Sequence, residues 1–168
     1  GFHMLYLALT EASSFEPRFG AKWQFKENQS LSLGYGRHSR IESMSVYFAN
    51  DVNNYSGLQQ PNTNLGLAKA DHYVFAYDLF PGRKWHVKAE TYYQKLTDVP
   101  IASLLATDEF SQVFSTINLN RSFEGIPLVN EGEGENYGVE FTVEKFFTND
   151  WYILTTASFF NSQFTPQD

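Results

Sequence analysis

Hydrophobic and polar positions alternate with a period of two along most of this chain, as strands lying between two different media require. The clearest run is 84–95, where Trp85, Val87, Ala89, Thr91, Tyr93 and Lys95 interleave with Lys84, His86, Lys88, Glu90, Tyr92 and Gln94, one face largely apolar and the other charged. Residues 137–147 repeat the pattern, with Tyr137, Val139, Phe141, Val143 and Phe147 set against Gly138, Glu140, Thr142 and Glu144. So do residues 15–25, where Phe15, Pro17, Phe19, Ala21, Trp23 and Phe25 oppose Glu16, Arg18, Gly20, Lys22 and Gln24. Shorter runs follow at 31–37 and 70–79, and residues 2–9 supply an N-terminal strand. The run 151–160 is apolar on both faces and fixes no side. The prediction is an all-β chain, an antiparallel up-and-down meander of about seven strands.

The connections alternate in length. Residues 26–30, 81–83 and 148–150 are tight polar turns of hairpin size. Two long connections, 39–67 and 97–135, lie between them, and loops of that length are usually functional in compact domains. Short turns at one end and long loops at the other, joined by strands of about eleven residues, describe a transmembrane β-barrel. A soluble ligand-binding barrel with its apolar face inward keeps the same alternation. The charged face is expected inside and the apolar one against outer-membrane lipid, because ladders of Glu and Lys hydrate a wide lumen.

Composition narrows the classes. The 168 residues include 16 Phe, 10 Tyr and 3 Trp, which favour strands and membrane interfaces. Mean hydropathy is nevertheless −0.37, and no apolar run reaches the eighteen residues of a membrane-crossing helix. No cysteine is present, so disulfides and thiolate metal sites are excluded. A net charge of −7 argues against a nucleic-acid partner, which needs clustered Lys and Arg. Residues 1–9 show no signal peptide, and Pro166 follows Thr165 near the end. Residues 1–168 therefore read as a fragment of one β-barrel domain, cut from something longer at both ends.

Several stretches resemble a known family. Phe15-Glu16-Pro17-Arg18-Phe19-Gly20, with Leu33-Gly34-Tyr35-Gly36-Arg37-His38-Ser39 after the next turn, is similar to the barrel of TonB-dependent outer-membrane receptors. Lys69-Ala70-Asp71-His72-Tyr73, Lys88-Ala89-Glu90-Thr91-Tyr92-Tyr93-Gln94 and Asn136-Tyr137-Gly138-Val139-Glu140-Phe141-Thr142-Val143-Glu144-Lys145 resemble its Bacteroidetes variety. The resemblance covers essentially the whole chain, with each motif weak alone and the ordered set more specific. It implies a 22-stranded barrel closed by an N-terminal plug. That barrel imports a scarce nutrient (a siderophore, cobalamin or a glycan) with energy from TonB. The plug, the TonB box and an aromatic terminal strand are not in this sequence.

Candidate site residues follow from both readings. Glu16, Arg18, Lys22, Lys88, Glu90, Glu140 and Glu144 form a lumen-facing charge array, read either as a ligand guide or plug contact, or as a solvated, self-neutralising wall. Tyr47, Phe48, Tyr55 and Phe110 sit among polar loop residues, which suits a small-molecule or glycan ligand with apolar and hydrogen-bonding parts. His3, His38, His72 and His86 are scattered. With a regular hairpin at 81–83, His72 lies near Tyr92 and His86 near Asp78, so the two histidines are not neighbours and do not share a metal. Glu131, Glu133 and Glu135 read as a solvated loop, and Asp51-x-Asn53-x-Tyr55 misses the calcium-loop spacing. No catalytic motif and no cofactor site is present, so the chain does not read as an enzyme. Two alternatives stay open: a soluble ligand-binding barrel and a small structural or adhesive outer-membrane barrel. Isolated, the fragment is expected to self-associate through its two open sheet edges and apolar face.

Overall fold

The alternating runs fold into seven strands among the described residues, which in this computed structural model are 1–51, 56–103, 115–117 and 126–165. The strands are β1 (Phe2–Leu7), β2 (Ala12–Lys26), β3 (Gln29–Arg40), β4 (Ala68–Leu79), β5 (Trp85–Ala102), β6 (Leu128–Thr148) and β7 (Trp151–Thr165). Each pairs antiparallel with its sequence neighbour, in the order β1-β2-β3-β4-β5-β6-β7. The meander is thus the one the alternation predicts. A helical turn α1 (Met44–Tyr47) and a 3-10 turn (Pro61–Asn64) lie in the β3–β4 connection. Tyr55 and Phe110 lie outside the described residues.

The second long connection is shorter than the sequence suggests. β5 continues to Ala102 and β6 begins at Leu128, so residues expected in a loop extend the sheet. Two bulges disguise this extension, since pairing passes from Leu96↔Gly134 to Val99↔Gly132 and then to Pro100↔Asn130. Each bulge resets the period-two pattern on which the reading depended. Glu133 and Glu135 are accordingly strand residues. Glu133 lies 3.4 Å from Lys95, and Glu135 accepts the Tyr93 hydroxyl at 2.9 Å.

Register assigns every strand to two faces. Tyr35, Tyr73, Tyr93 and Tyr137 stand in one row across four strands, with neighbouring rings 5.0 Å and 6.3 Å apart in the first two pairs. Toward the short turns the same face carries Leu33, Phe75, Thr91 and Val139, then Leu31, Tyr77, Ala89 and Phe141. It ends in aromatic residues, where Trp85 packs edge-on to Trp151 at 6.4 Å and Phe25 stacks on Tyr77 at 6.5 Å. Charge returns only at or beyond these limits. Past the tyrosine row, Arg37 grips Asp71 through two hydrogen bonds of 2.9 and 2.8 Å.

At the other limit stands Lys145, 5% exposed. Its ammonium donates to Thr148 O, Thr148 Oγ1 and Trp151 O at 2.8–3.0 Å and lies 3.7 Å over the Trp151 ring. All three donors are used, which is how a cation is accommodated on an apolar face. The adjoining turn is tight because Asn149 and Asp150 both take positive φ, 55° and 64°, the geometry that matches strand twist.

The compact core lies at the long-loop end. Leu7, Val46, Tyr47, Leu65, Leu67 and Leu128 form one buried cluster, with Leu5, Ala12, Ile41 and Ile126 packed on it. The cluster joins β1 to β6, five strands away, through the β3–β4 connection.

Candidate functional site

The face opposite the tyrosine row carries the polar residues, and register sorts them into two zones. Nearer the short turns, Lys88 pairs with Glu90, and Asp78 lies directly across from Lys88. Asp78 is also bound by His86 Nε2 at 2.7 Å, while His86 Nδ1 lies 3.7 Å from Glu144 and its ring stacks on Phe80 at 4.5 Å. Glu90 and Glu140 are directly opposite, a repulsive arrangement offset by Lys88 and by Ser158 donating to Glu140 at 3.0 Å. This zone holds four acids, Asp78, Glu90, Glu140 and Glu144, against Lys22 and Lys88.

The next two rows toward the long-loop end hold no charge from β3 to β7. One row is Gly36, His72, Gln94, Asn136 and Ser162, and the other is Gly34, Val74, Tyr92, Gly138 and Phe160. The first is a hydrogen-bonded ladder, since Asn136 donates to Gln94 Oε1 at 2.8 Å and Ser162 Oγ donates to Asn136 Oδ1 at 2.5 Å. In the second, a side chain at Gly138 would collide with Phe159 O at 2.7 Å and the Phe160 Cβ at 2.9 Å, and would meet the Tyr92 hydroxyl at 3.0 Å. Glycine there lets Tyr92 lie flat across the strand.

The expected charge array is therefore divided. Lys88, Glu90, Glu140 and Glu144 share one zone, whereas Glu16 and Arg18 belong to a separate cluster on β2. Residues 18–26 of this strand pair with β3, and residues 12–17 with β1. Glu16, 3% exposed, fills the resulting fork between β2 and β3. Its carboxylate accepts the Ser39 N–H at 3.0 Å and lies 3.0 Å from His3 Nδ1 and 3.7 Å from Arg18. A side chain thus takes over the ladder's role at the seam. His3, Asp78 and His86 were not among the expected array; only the hairpin register identifies them. In that register Asp78 pairs with Lys88 and the turn spans five residues, so His72 is opposite Gln94. His72 still meets Tyr92 diagonally, edge to face at 6.2 Å.

Tyr47 requires a correction. Expected as a loop aromatic that contacts ligand, it is 0% exposed and packs inside the cluster. Burial pushes its phenol above the ordinary value, the nearby Glu42 backbone opposing part of that shift. The hydroxyl completes no hydrogen bond among the described residues. Phe48, beside it, is 48% exposed and remains available. The described end of the connection, around Asn62 and Gly66, is pinned by side-chain hydrogen bonds. Asn62, 0% exposed, donates to Ile126 O at 3.0 Å and accepts from Leu128 N at 2.8 Å. Asn130 accepts from Gly66 N at 2.7 Å and donates to Asp98 O at 2.8 Å.

Comparison with known proteins supplies the family context. The family described as "TonB dependent receptor-like, beta-barrel" matches residues 7–167. Two solved structures of the FrpB iron transporter from Neisseria meningitidis are similar in fold. The F3-3 variant superposes with a TM-score of 0.59 at 19% identity, covering 91% of this chain and 20% of that one. The F5-1 variant in its apoprotein form gives 0.58 at 16% identity, with the same coverage. The chain thus spans about a fifth of the length of the solved structures it matches. No curated protein matches it.

Proposed function

The chain belongs to the TonB-dependent receptor-like β-barrel family, and from that premise we propose that its parent protein binds a scarce nutrient at the cell surface and imports it with TonB-supplied energy. It is a segment of an outer-membrane β-barrel, and nothing in that family assignment calls for catalysis. The observation that carries the reading is the family match across 7–167, combined with a sheet whose two faces differ as a membrane wall requires.

The apolar face supports lipid contact. Eight residues separate Tyr93 from Trp85, about 27 Å along a strand, or about 20 Å of membrane thickness at the usual tilt. Aromatic girdles stand at both limits, and charge lies only beyond or at them. The polar face, with Glu16, Arg18, Lys88, Glu90, Glu140 and Glu144, then lines the lumen and faces the plug. The long-loop end opens to the outside, with Phe48 as a candidate ligand contact; Tyr55 and Phe110 are candidates on the sequence alone. A barrel of 22 strands, a Bacteroidetes source and a ligand among ferric siderophores, cobalamin and glycans complete the reading. The isolated segment, with two open edges and an unlipidated apolar face, is expected to self-associate.

Deleting the parent gene and, separately, its TonB tests the import reading. Uptake of labelled ferric siderophores, cyanocobalamin and oligosaccharides is followed in each strain. Loss of the same ligand's uptake in both deletions is expected. Undiminished uptake of all three classes would remove the proposal.

A further inference from the structure

The uncharged zone of the polar face bears on what the parent receptor takes. Resting on the import reading above, we propose that this zone is a subsite for an uncharged, hydroxyl-rich ligand, an oligosaccharide, and not for an anionic chelate.

Four features combine. First, His72, Gln94, Asn136 and Ser162 stand one per strand, so hydrogen-bonding groups recur about every 4.8 Å across the wall. That spacing is close to the repeat of rings along a pyranose chain. Second, the ladder leaves capacity unused. Gln94 Oε1 is taken by Asn136, but Gln94 Nε2, the Tyr92 hydroxyl and the His72 ring nitrogens make no hydrogen bond among the described residues. These are neutral donors and acceptors, the complement of hydroxyl groups. Third, Tyr92 and Phe160 flank Gly138 on the same face, and Phe160 is 72% exposed. Aromatic surface of this kind, with the Tyr92 ring laid over Gly138, suits the C–H face of a sugar ring. Fourth, the zone below holds Asp78, Glu90, Glu140 and Glu144 against two lysines, a balance that disfavours an anionic ligand moving along the wall and leaves a neutral one unaffected.

The cations nearest the rows' ends do not alter this. Arg18 is 3.7 Å from Glu16, and Arg40 is held by Glu42 at 2.8 Å. Specificity of this kind rests on placed neutral groups; a site built to pair hydroxyls rejects ligands that leave its polar groups unpaired.

The test uses the full-length receptor in outer-membrane vesicles. The probes are labelled neutral oligosaccharides (glucans, mannans and N-acetylglucosamine oligomers), a ferric tris-catecholate siderophore and cyanocobalamin. At least one oligosaccharide is expected to bind, with an affinity insensitive to salt. The double variant Gln94→Ala/Asn136→Ala should weaken it about tenfold, the loss of two ordinary hydrogen bonds. Phe160→Ala should weaken it as well. Gln94→Glu, which keeps the shape and adds a charge, guards against misassembly of the alanine variant and should also lose affinity. Oligosaccharide binding unchanged in both the double variant and Gln94→Glu overturns the proposal. So does TonB-dependent binding and uptake of the siderophore or cobalamin with no oligosaccharide bound, an outcome that leaves the import reading standing. Uptake of none of the three classes instead overturns the import reading itself.

Discussion

Between the tyrosine row and the short turns, most side chains are half-buried or exposed on both faces, and the strand ladder sets where they stand. Ser30, Ala76, Asp78 and Lys145 are the buried exceptions. At the long-loop end the reverse holds. Leu7, Val46, Tyr47, Leu65, Leu67 and Leu128 are buried together, and the backbone of the β3–β4 connection is tied down by the side chains of Asn62 and Asn130. The wall is thus completed by its surroundings: lipid on one side, water and plug on the other. The mouth carries its own small core, as a soluble domain does. A substitution in the wall acts through the medium it faces, whereas one in the mouth acts through packing.

The largest effect that separates the two is expected at Tyr47. Replacing it with alanine empties the centre of the cluster and should cost docking of the β3–β4 connection about 3–5 kcal/mol, the range for a large buried aromatic. A nitroxide at position 48, introduced through Phe48→Cys in the full receptor, reports the change as increased mobility. Barrel assembly, judged by heat-resistant migration, should persist. An immobile label in Tyr47→Ala would mean that the cluster does not hold the connection. For the same reason, deleting 41–67 removes more than a ligand contact, because it takes away the contact between β1 and β6.

In the wall the contrast is between neighbouring positions on one strand. Phe141→Arg puts a charge near the middle of the apolar face and should cost about 2–4 kcal/mol in lipid. Glu140→Gln, one residue away on the opposite face, removes repulsion from Glu90 and should change stability by less than about 0.5 kcal/mol. Denaturant titration of the receptor in vesicles compares them. Equal effects would reverse or abolish the lipid and lumen assignment.

Asn62→Ala lies between these cases. It leaves the Ile126 carbonyl and the Leu128 N–H without their partner in a dry environment, at a cost of about 1–3 kcal/mol. Hydrogen exchange at the start of β6 should accelerate in this variant, while exchange in β4 stays slow. Uniform acceleration across both strands would show that the mouth and the wall open as one unit.

The same contrast explains what could be read without coordinates. Alternation in residues 15–25, 84–95 and 137–147 placed Phe19, Trp85 and Phe141 on one face and Arg18, Lys88 and Glu140 on the other, because a period of two survives any change in strand partner. It failed at the bulges near Val99 and Gly132, where an extra residue breaks the period and made strand look like loop. It failed again at Tyr47. A four-residue helical turn has no periodicity to detect, and its partners, Leu7 and Leu128, lie far away in sequence. The division of the polar face into charged and uncharged zones required register. His72, Gln94 and Asn136 look unrelated until two strand pairings align them.

The smallest effect concerns the Tyr47 hydroxyl alone, and it isolates polarity from packing within the mouth. Tyr47→Phe keeps the ring and removes a buried oxygen with no hydrogen bond among the described residues, so docking should change by no more than about 0.5 kcal/mol, in the stabilising direction. The difference between the two proteins should then grow with pH. Burial raises the phenol's pKa in the docked state, so above the ordinary value of about 10 the undocked state loses its proton first. Stability from this group is complete below that pH and falls as pH rises through the docked-state value. The position-48 label should therefore loosen above about pH 10 in a receptor with Tyr47 and hold its mobility in Tyr47→Phe. Identical pH profiles would show that the phenol stays in contact with water, and the dry core assigned to the mouth would have to be given up.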